Sequence, residues 1–462
     1  GCDDETLDIE IFPDRPDLLS GETLAYAIRP FLHGARAEPE IQTISSGIKM
    51  HVEPSLASIR PVVMGAVVKG VVLSEDSEEQ EAFIKALMDH QEKLHFALGR
   101  GRKRASIGVH DLSALQPPFN VVAAPGTRSF IPLGEDTPMD ITTILSKHPK
   151  GVDYAHLLEG MTSYPLILDA NDDVLSFPPI INGNHTTVTT KTRDFFVDVT
   201  GWDQRACESS LMLICLQLQE RGGKIETVEV TTCEGQLITT PNGAGKSHLV
   251  PEELVTGLLG RHFSDDELSH AINRMGGSFL GRKDAPPNSP KRASKMSEVS
   301  KGGNLLEFIM PRWRFDILHP VDLVEDIAIG HGYEDLGEDQ PIAQLTAQPR
   351  PDHNMRRRLR ESMQGLGLMQ IQSLTLSNET DQFTNMRWSQ NHAVTVITNP
   401  ITVDHTMLRQ FLIPGLLRLL ATNRHHDLPQ GVYELGTVVR DHENADRMAF
   451  LMAERSGGFA AV

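Results

Sequence analysis

Asp322, Glu325 and Asp326 stand at i, i+3 and i+4 in the run Pro311-Arg312-Trp313-Arg314-Phe315-Asp316-Ile317-Leu318-His319-Pro320-Val321-Asp322-Leu323-Val324-Glu325-Asp326. On a helix of about 3.6 residues per turn, that spacing places all three carboxylates on one face. Pro320 suits the first turn, where its missing N–H costs no hydrogen bond. Asp316, just upstream, can fold back as a fourth carboxylate. Crowded like charges call for a cation, and hard oxygen ligands of this kind suit Mg2+. A solvated face, or ion pairs to Arg312 and Arg314, accounts for the same residues.

A second set of polar side chains lies upstream. Leu175-Ser176-Phe177-Pro178-Pro179-Ile180-Ile181-Asn182 puts a hydroxyl beside a double proline that fixes backbone φ. Phe195-Phe196-Val197-Asp198-Val199-Thr200-Gly201 reads as a strand, whose two-residue period sends Asp198 and Thr200 to one face. Ser176, Asp198 and Thr200 can converge as two hydroxyls and a carboxylate in a pocket, or can merely satisfy backbone groups at a strand end. No His or Cys nucleophile stands beside them, so a protease-like triad is not indicated. Arg100, Arg102, Lys103 and Arg104 form the densest basic cluster, which reads as a solvated loop or as a contact for RNA phosphates.

Other motifs carry less. Asn242-Gly243-Ala244-Gly245-Lys246-Ser247 imitates a phosphate loop, but the full pattern needs a glycine where Thr240 stands, and Pro241 interrupts any strand leading in. His425 and His426 are helix neighbours and do not face the same way. Glu10-Ile11-Phe12-Pro13-Asp14-Arg15-Pro16-Asp17-Leu18-Leu19-Ser20 is a rigid Pro-flanked turn before a helix start. There Asp17 and Ser20 are capping candidates, and Arg15 can pair with Asp14 or Asp17.

The elements that position these groups alternate without the rhythm of a doubly wound sheet. Runs rich in Val, Ile, Phe and Thr predict strands over 62–72, 105–109, 166–169, 186–190, 195–199, 227–231, 306–310, 369–376, 394–397 and 432–439. Apolar periodicity predicts helices over 79–90, 204–221, 251–259, 265–275, 320–330, 355–365 and 407–423. The fold class is therefore α+β and multidomain. The 462 residues correspond to three or four domains at roughly 100–200 residues each. The Pro- and Ser-rich stretch 282–303 reads as a flexible insertion, and the Pro-rich stretch 340–352 as a domain boundary.

With 39% hydrophobic and 23% charged residues, the chain can build a core in each domain. No apolar run reaches the roughly 18–20 residues that span a bilayer. The acidic start Gly1-Cys2-Asp3-Asp4-Glu5 is no signal peptide and, without an initiator methionine, reads as the interior of a longer protein. Four dispersed cysteines predict a reducing cytoplasm rather than a disulfide framework. The net charge of −19, from 43 basic and 62 acidic residues, disfavours a broad nucleic-acid surface but leaves room for a local patch or an RNA-binding partner chain.

Several of these motifs together resemble the beta chains of phenylalanyl-tRNA synthetase, of the archaeal and eukaryotic-cytosolic type. Residues 10–20 resemble the family's N-P-D-R-P-D-L-L-S hallmark, with Phe12 where Asn is usual. Gln91–His95 and Ser106–Leu112 are similar to segments of the same chains. The resemblance runs from about residue 8 to about residue 440, and it implies a chain lacking a portion of its amino-terminal module and the end of its last domain. It implies modules at 1–60, 61–236 (editing-like), 237–338 (small helical or winged, with the acidic metal cluster and the insertion 282–303) and 352–462 (a class II synthetase-like antiparallel sheet).

By the same resemblance, Asp316, Asp322, Glu325 and Asp326 bind magnesium in a site completed by the alpha subunit. Ser176, Asp198 and Thr200 line a pocket that hydrolyses tyrosine misattached to tRNA(Phe). The last domain keeps only a faint echo of the phosphate-gripping arginine in Arg440 with Glu443, so ATP and phenylalanine are expected on the alpha subunit of a cytoplasmic alpha2beta2 heterotetramer. A free-standing aminoacyl-tRNA deacylase and a non-catalytic RNA-binding scaffold are the rival readings.

Overall fold

The computed structural model describes residues 8–284, 289–292, 295–300, 304–337 and 347–456, with the side chains of 289–300 left aside. The chain start at Gly1–Glu5 and residues 340–346 of the expected boundary lie outside the described residues. The chain divides into two compact units, Gly1–Asp339 and Gln340–Val462.

The first unit is built on a mixed sheet, ten-stranded among the described residues. Its order is Ala105–Asp111, Phe195–Gly201, Val62–Lys69, Lys224–Thr231, Ile44–Val52, Phe119–Ala124, Tyr164–Leu168, Val174–Phe177 and Ile181–Asn182, with Leu237–Thr240 paired beside Lys224–Thr231. Its central strands are buried on both faces, which is why they read as unbroken apolar runs. In Val62–Lys69, for example, Met64, Ala66 and Val68 pack into one core while Val63 and Val67 pack into another.

The first core is closed by helix Gln204–Gln219, started by the Asp203 side chain accepting from Ala206 N–H. Helix Ser77–Ala97 lies beside it, capped by Asp76. The sheet then curls until its two ends approach. Asn182 Nδ2, on the last strand, donates to Val109 O on the first at 3.4 Å. That closure sets residues far apart in sequence around one space.

A smaller antiparallel sheet in the same unit joins Lys246–Pro251, Asn304–Met310 and Ser278–Asp284. Helices Glu252–Leu259, Asp265–Arg274 and Pro320–His331 pack on it around Leu268, Ile272, Phe308, Leu323 and Ile327. Ser264 and Glu267 form a capping box at the second helix. The stretch 282–303 is not a plain loop: Ser289–Arg292 and Lys295–Ser300 pair antiparallel. Ladder bonds come from the backbone, so such pairing needs no hydrophobic alternation.

In the second unit, Gln430–Arg440 and Glu443–Ala453 form an antiparallel hairpin, turned by Asp441 and His442 at φ 52° and 65°. Met369–Gln370 joins it in parallel. Helices His353–Gly365 and Ile413–Thr422 complete the unit. The expected strand 394–397 is reduced to one bridge, Val396 to Met407. The α+β, multidomain character holds. Among the described residues no helix is long and apolar enough to cross a membrane.

Candidate functional site

A cavity of about 430 Å³ lies where the two ends of the curled sheet meet, and both Ser176 and Asp198 line it. Asp198 sits on Phe195–Gly201, directly opposite Gly108 in the edge strand. Ser176 comes from the far end of the sheet, opposite Asn182, to which its hydroxyl donates at 3.4 Å. Ile84, Met88, Val109, Phe177 and Ile181 make the wall largely apolar. A mostly apolar space with a few convergent polar groups is what a small-molecule or side-chain pocket requires.

Thr200 is placed elsewhere. It does not line the cavity; its hydroxyl accepts from Arg60 Nε at 2.8 Å and shares a bond with Ser106 Oγ at 3.1 Å. Arg60 also donates to Thr200 O and Arg102 O, at 2.8 and 3.0 Å. Full burial pushes its guanidinium down to about 10, against the pull of Asp198. Thr200 therefore belongs to the layer that holds the strands, not to the pocket surface.

The expectation that no histidine stands beside these groups is corrected. His110, wholly buried, places Nε2 2.7 Å from Asp198 Oδ2 and Nδ1 2.8 Å from Thr186 Oγ1. The signal was in the sequence: with a period of two, Ser106, Gly108 and His110 share one face of their strand. Only the pairing register could have put that face against Asp198.

The basic cluster also resolves differently from a simple phosphate patch. Arg102 is buried; it donates to Pro179 O and Ile180 O at 3.1 and 2.9 Å and stacks on Tyr154 at 4.2 Å. It also meets Glu92 at 2.5 Å. Arg102 thus fixes the turn at one side of the cavity, while Arg100 and Lys103 stay exposed. His95 Nε2 accepts from Ile107 N–H at 2.8 Å, so the ring is neutral with its proton on Nδ1, and burial pushes its pKa down. His95 and then Arg102 hold Glu92 down to about 2.

The four carboxylates around helix Pro320–His331 do not converge. Arg314 donates from Nε to Asp316 Oδ1 at 2.9 Å and from Nη2 to both oxygens of Asp326 at 2.9 Å. Burial opposes that guanidinium's charge, yet Asp326 and Asp316 outweigh it and hold Arg314 well above its ordinary range. Asp322 Oδ2 instead accepts from Leu318 N–H and His319 N–H, at 2.7 and 2.6 Å, closing the helix start. Glu325 faces solvent. Among the described residues no group of three or more His, Cys, Asp or Glu is placed to hold a metal ion. Of the four carboxylates expected to hold magnesium, Asp316 and Asp326 meet Arg314 and Asp322 closes the helix start.

The imitation of a phosphate loop ends in strand Lys246–Pro251, with no following helix N-terminus at Ser247. Arg440 donates to Gln410 O at 3.1 Å and stacks on Phe411. A buried ion pair not read from the sequence, Arg409 to Glu434 at 2.7 Å, holds the sheet of the second unit.

Comparison with known proteins gives the family of the chain. Three family models match in order: a B3/4 domain over residues 60–229, a tRNA synthetase B5 domain over 249–333, and a phenylalanyl tRNA synthetase beta chain CLM domain over 338–457. The phenylalanine–tRNA ligase beta subunit of Methanosarcina acetivorans is 39% identical over 460 residues, covering 100% of this chain and 80% of that relative. That of Methanococcoides burtonii is 38% identical over 458 residues, covering 99% and 80%. A crystal structure of an N-terminal fragment of the phenylalanyl-tRNA synthetase beta subunit from Pyrococcus horikoshii superposes with a TM-score of 0.60 at 34% identity, covering 70% of this chain and 85% of that one. The cavity lies within the first matched domain, the arginine-bridged carboxylates within the second, and the identity runs through both. The chain belongs to the phenylalanyl-tRNA synthetase beta-subunit family, the beta chains of an aminoacyl-tRNA ligase.

Proposed function

We propose that this beta chain works in the cytoplasm with an alpha subunit, as an alpha2beta2 heterotetramer that attaches phenylalanine to tRNA(Phe) using ATP bound by alpha, and that its own cavity removes misattached tyrosine. The module division 1–60, 61–236, 237–338 and 352–462 belongs to the same reading. What carries it is the convergence of Ser176 and Asp198 on one cavity of about 430 Å³.

The chemistry is ester hydrolysis. The oxygen of a water bonds to the carbonyl carbon of the aminoacyl ester, the bond from that carbon to the terminal ribose oxygen breaks, and the ribose oxygen takes up a proton. Tyrosine and free tRNA leave. Asp198 accepts the phenolic O–H, and Ser176 with Asn182 offers a hydroxyl and an amide beside it. A site built to pair with a hydroxyl rejects the ligand that lacks it, because the buried acceptor is left without a partner.

For the carboxylates of helix Pro320–His331, Arg314 is the cation that this chain itself supplies. The test is to assemble the chain with an alpha subunit and follow hydrolysis of tyrosyl-tRNA(Phe). Asp198→Ala is expected to slow it at least about tenfold. Hydrolysis at the unaltered rate would overturn the assignment, and a chain that hydrolyses the ester but never binds alpha would support a free-standing deacylase instead.

A further inference from the structure

We propose that His110 is a positioning residue that turns Asp198 into a pure hydrogen-bond acceptor, so that the cavity takes aromatic aminoacyl esters whose para substituent donates a hydrogen bond. This rests on the deacylation reading above.

The inference follows from counting protons along one buried chain of contacts. Thr186 Oγ1 reaches Gly183 O at 3.0 Å and His110 Nδ1 at 2.8 Å, and His110 Nε2 reaches Asp198 Oδ2 at 2.7 Å. If Thr186 donates to Gly183, its oxygen can only accept, and His110 Nδ1–H donates to it. If Thr186 donates to Nδ1 instead, the ring proton sits on Nε2. In both cases one proton must lie between Nε2 and Oδ2, since two lone pairs do not face each other at 2.7 Å.

Oδ2 is thereby committed, and rotation of the carboxylate would break that bond. Gly108 leaves the space for it: a Cβ there would fall 2.1 Å from Oδ2 and 2.7 Å from Nε2. The ring is 0% exposed and is held at both nitrogens, so it cannot swing away. What Asp198 offers the cavity is lone pairs and no proton. A phenol or an aniline N–H matches that; a bare or fluorinated ring does not.

The experiment uses the alpha-beta holoenzyme and tRNA(Phe) charged with tyrosine, 4-aminophenylalanine or 4-fluorophenylalanine. The two donors should be hydrolysed about ten- to hundredfold faster than the fluoro ester. His110→Ala should bring that ratio close to one, His110→Gln, which returns an N–H near Nε2, should restore much of it, and Thr186→Val should lower it to an intermediate value. Thermal midpoints report folding separately, and Thr186→Val carries the test should His110→Ala not fold. A ratio unchanged in His110→Ala and Thr186→Val, while Asp198→Ala abolishes it, overturns the positioning role and leaves the site intact. A ratio unchanged in Asp198→Ala overturns the site itself.

Discussion

Gly108 shows how a missing side chain becomes a component of a site. Asp198 faces it across the ladder, and the Asp198–His110 bond runs through the space where a Cβ would stand. Gly108→Ala is expected to push the carboxylate off His110 and to slow deacylation at least about tenfold, while destabilising the chain by about 1–3 kcal/mol because the displaced atoms are buried and hydrogen-bonded. Deacylation at the native rate in that variant would mean the bond is dispensable. Arg314 makes the opposite point, since it is a buried cation whose removal strands two carboxylates. Arg314→Met should cost roughly 3–5 kcal/mol in urea unfolding, and adding Asp326→Asn should recover some of it. Residue types were legible at this scale: Ser176, Asp198 and Thr200 were read as groups able to converge in a pocket or to satisfy backbone groups, the family resemblance favoured the pocket, and Ser176 and Asp198 line the cavity. Roles that depend on who stands opposite were not. His110 and the Arg60–Thr200 contact are fixed by a register that no local pattern states, whereas the pairing of Arg314 with Asp316 and Asp326 is the ion-pair reading that the sequence left open beside the metal.

Elements were read best where the chain carries its own punctuation. Helices Gln204–Gln219, Asp265–Arg274 and Pro320–His331 begin behind Asp203, Ser264 and at Pro320, and the expected bounds lie within a few residues. The expected strand over 186–190 failed because Thr186 turns its hydroxyl onto Gly183 O, a local bond that competes with a ladder. The helix expected from 407 starts only at Ile413, because Met407–Leu408 pairs with Leu376–Ser377 and Pro414 marks the true first turn. Close helix packing gives a test at this scale. A Cβ on Gly330 would stand 2.0 Å from Ala271 O, a backbone atom on the neighbouring helix Asp265–Arg274. Gly330→Ala must therefore push the pair of helices apart and should destabilise the chain by about 1–3 kcal/mol, read from the urea midpoint. The carboxylates on the same helix give another. With Asp316 and Asp326 on Arg314, millimolar magnesium should move the thermal midpoint of the chain without alpha by less than about 1 °C, since only a ligand that binds the folded form stabilises it. A rise of several degrees that vanishes in Asp316→Asn would show the carboxylates regrouping around the ion.

For the whole molecule, the curl that joins the two ends of the large sheet was invisible in the sequence, since Asn182 and Val109 meet only after every intervening strand is placed. The helices packed on that sheet bury histidines, and these give the chain a pH dependence whose sign can be worked out. His90 is 1% exposed, on helix Ser77–Ala97, with Nδ1 2.8 Å from Gln217 Oε1 on helix Gln204–Gln219. Burial pushes its pKa down from 6.5 to about 4, and His95 on the same helix is lowered for the same reason. Between those values the unfolded chain takes up a proton that the folded chain refuses. Stability contributed by the neutral ring is therefore complete above 6.5 and drains away as the pH falls toward 4. For His90 alone this amounts to about 2 kcal/mol between pH 7 and pH 5. Glu92, held near 2 against an ordinary 4.5, acts in a separate and lower window, so the two effects do not overlap at pH 5 to 7. The urea midpoint should accordingly fall on going from pH 7 to pH 5, and His90→Asn, which keeps an N–H for Gln217, should remove a large share of that fall. If the variant and the native chain lose stability in parallel over this range, the neutral buried ring of His90 is not the cause, and the close packing of the two helices must tolerate the proton.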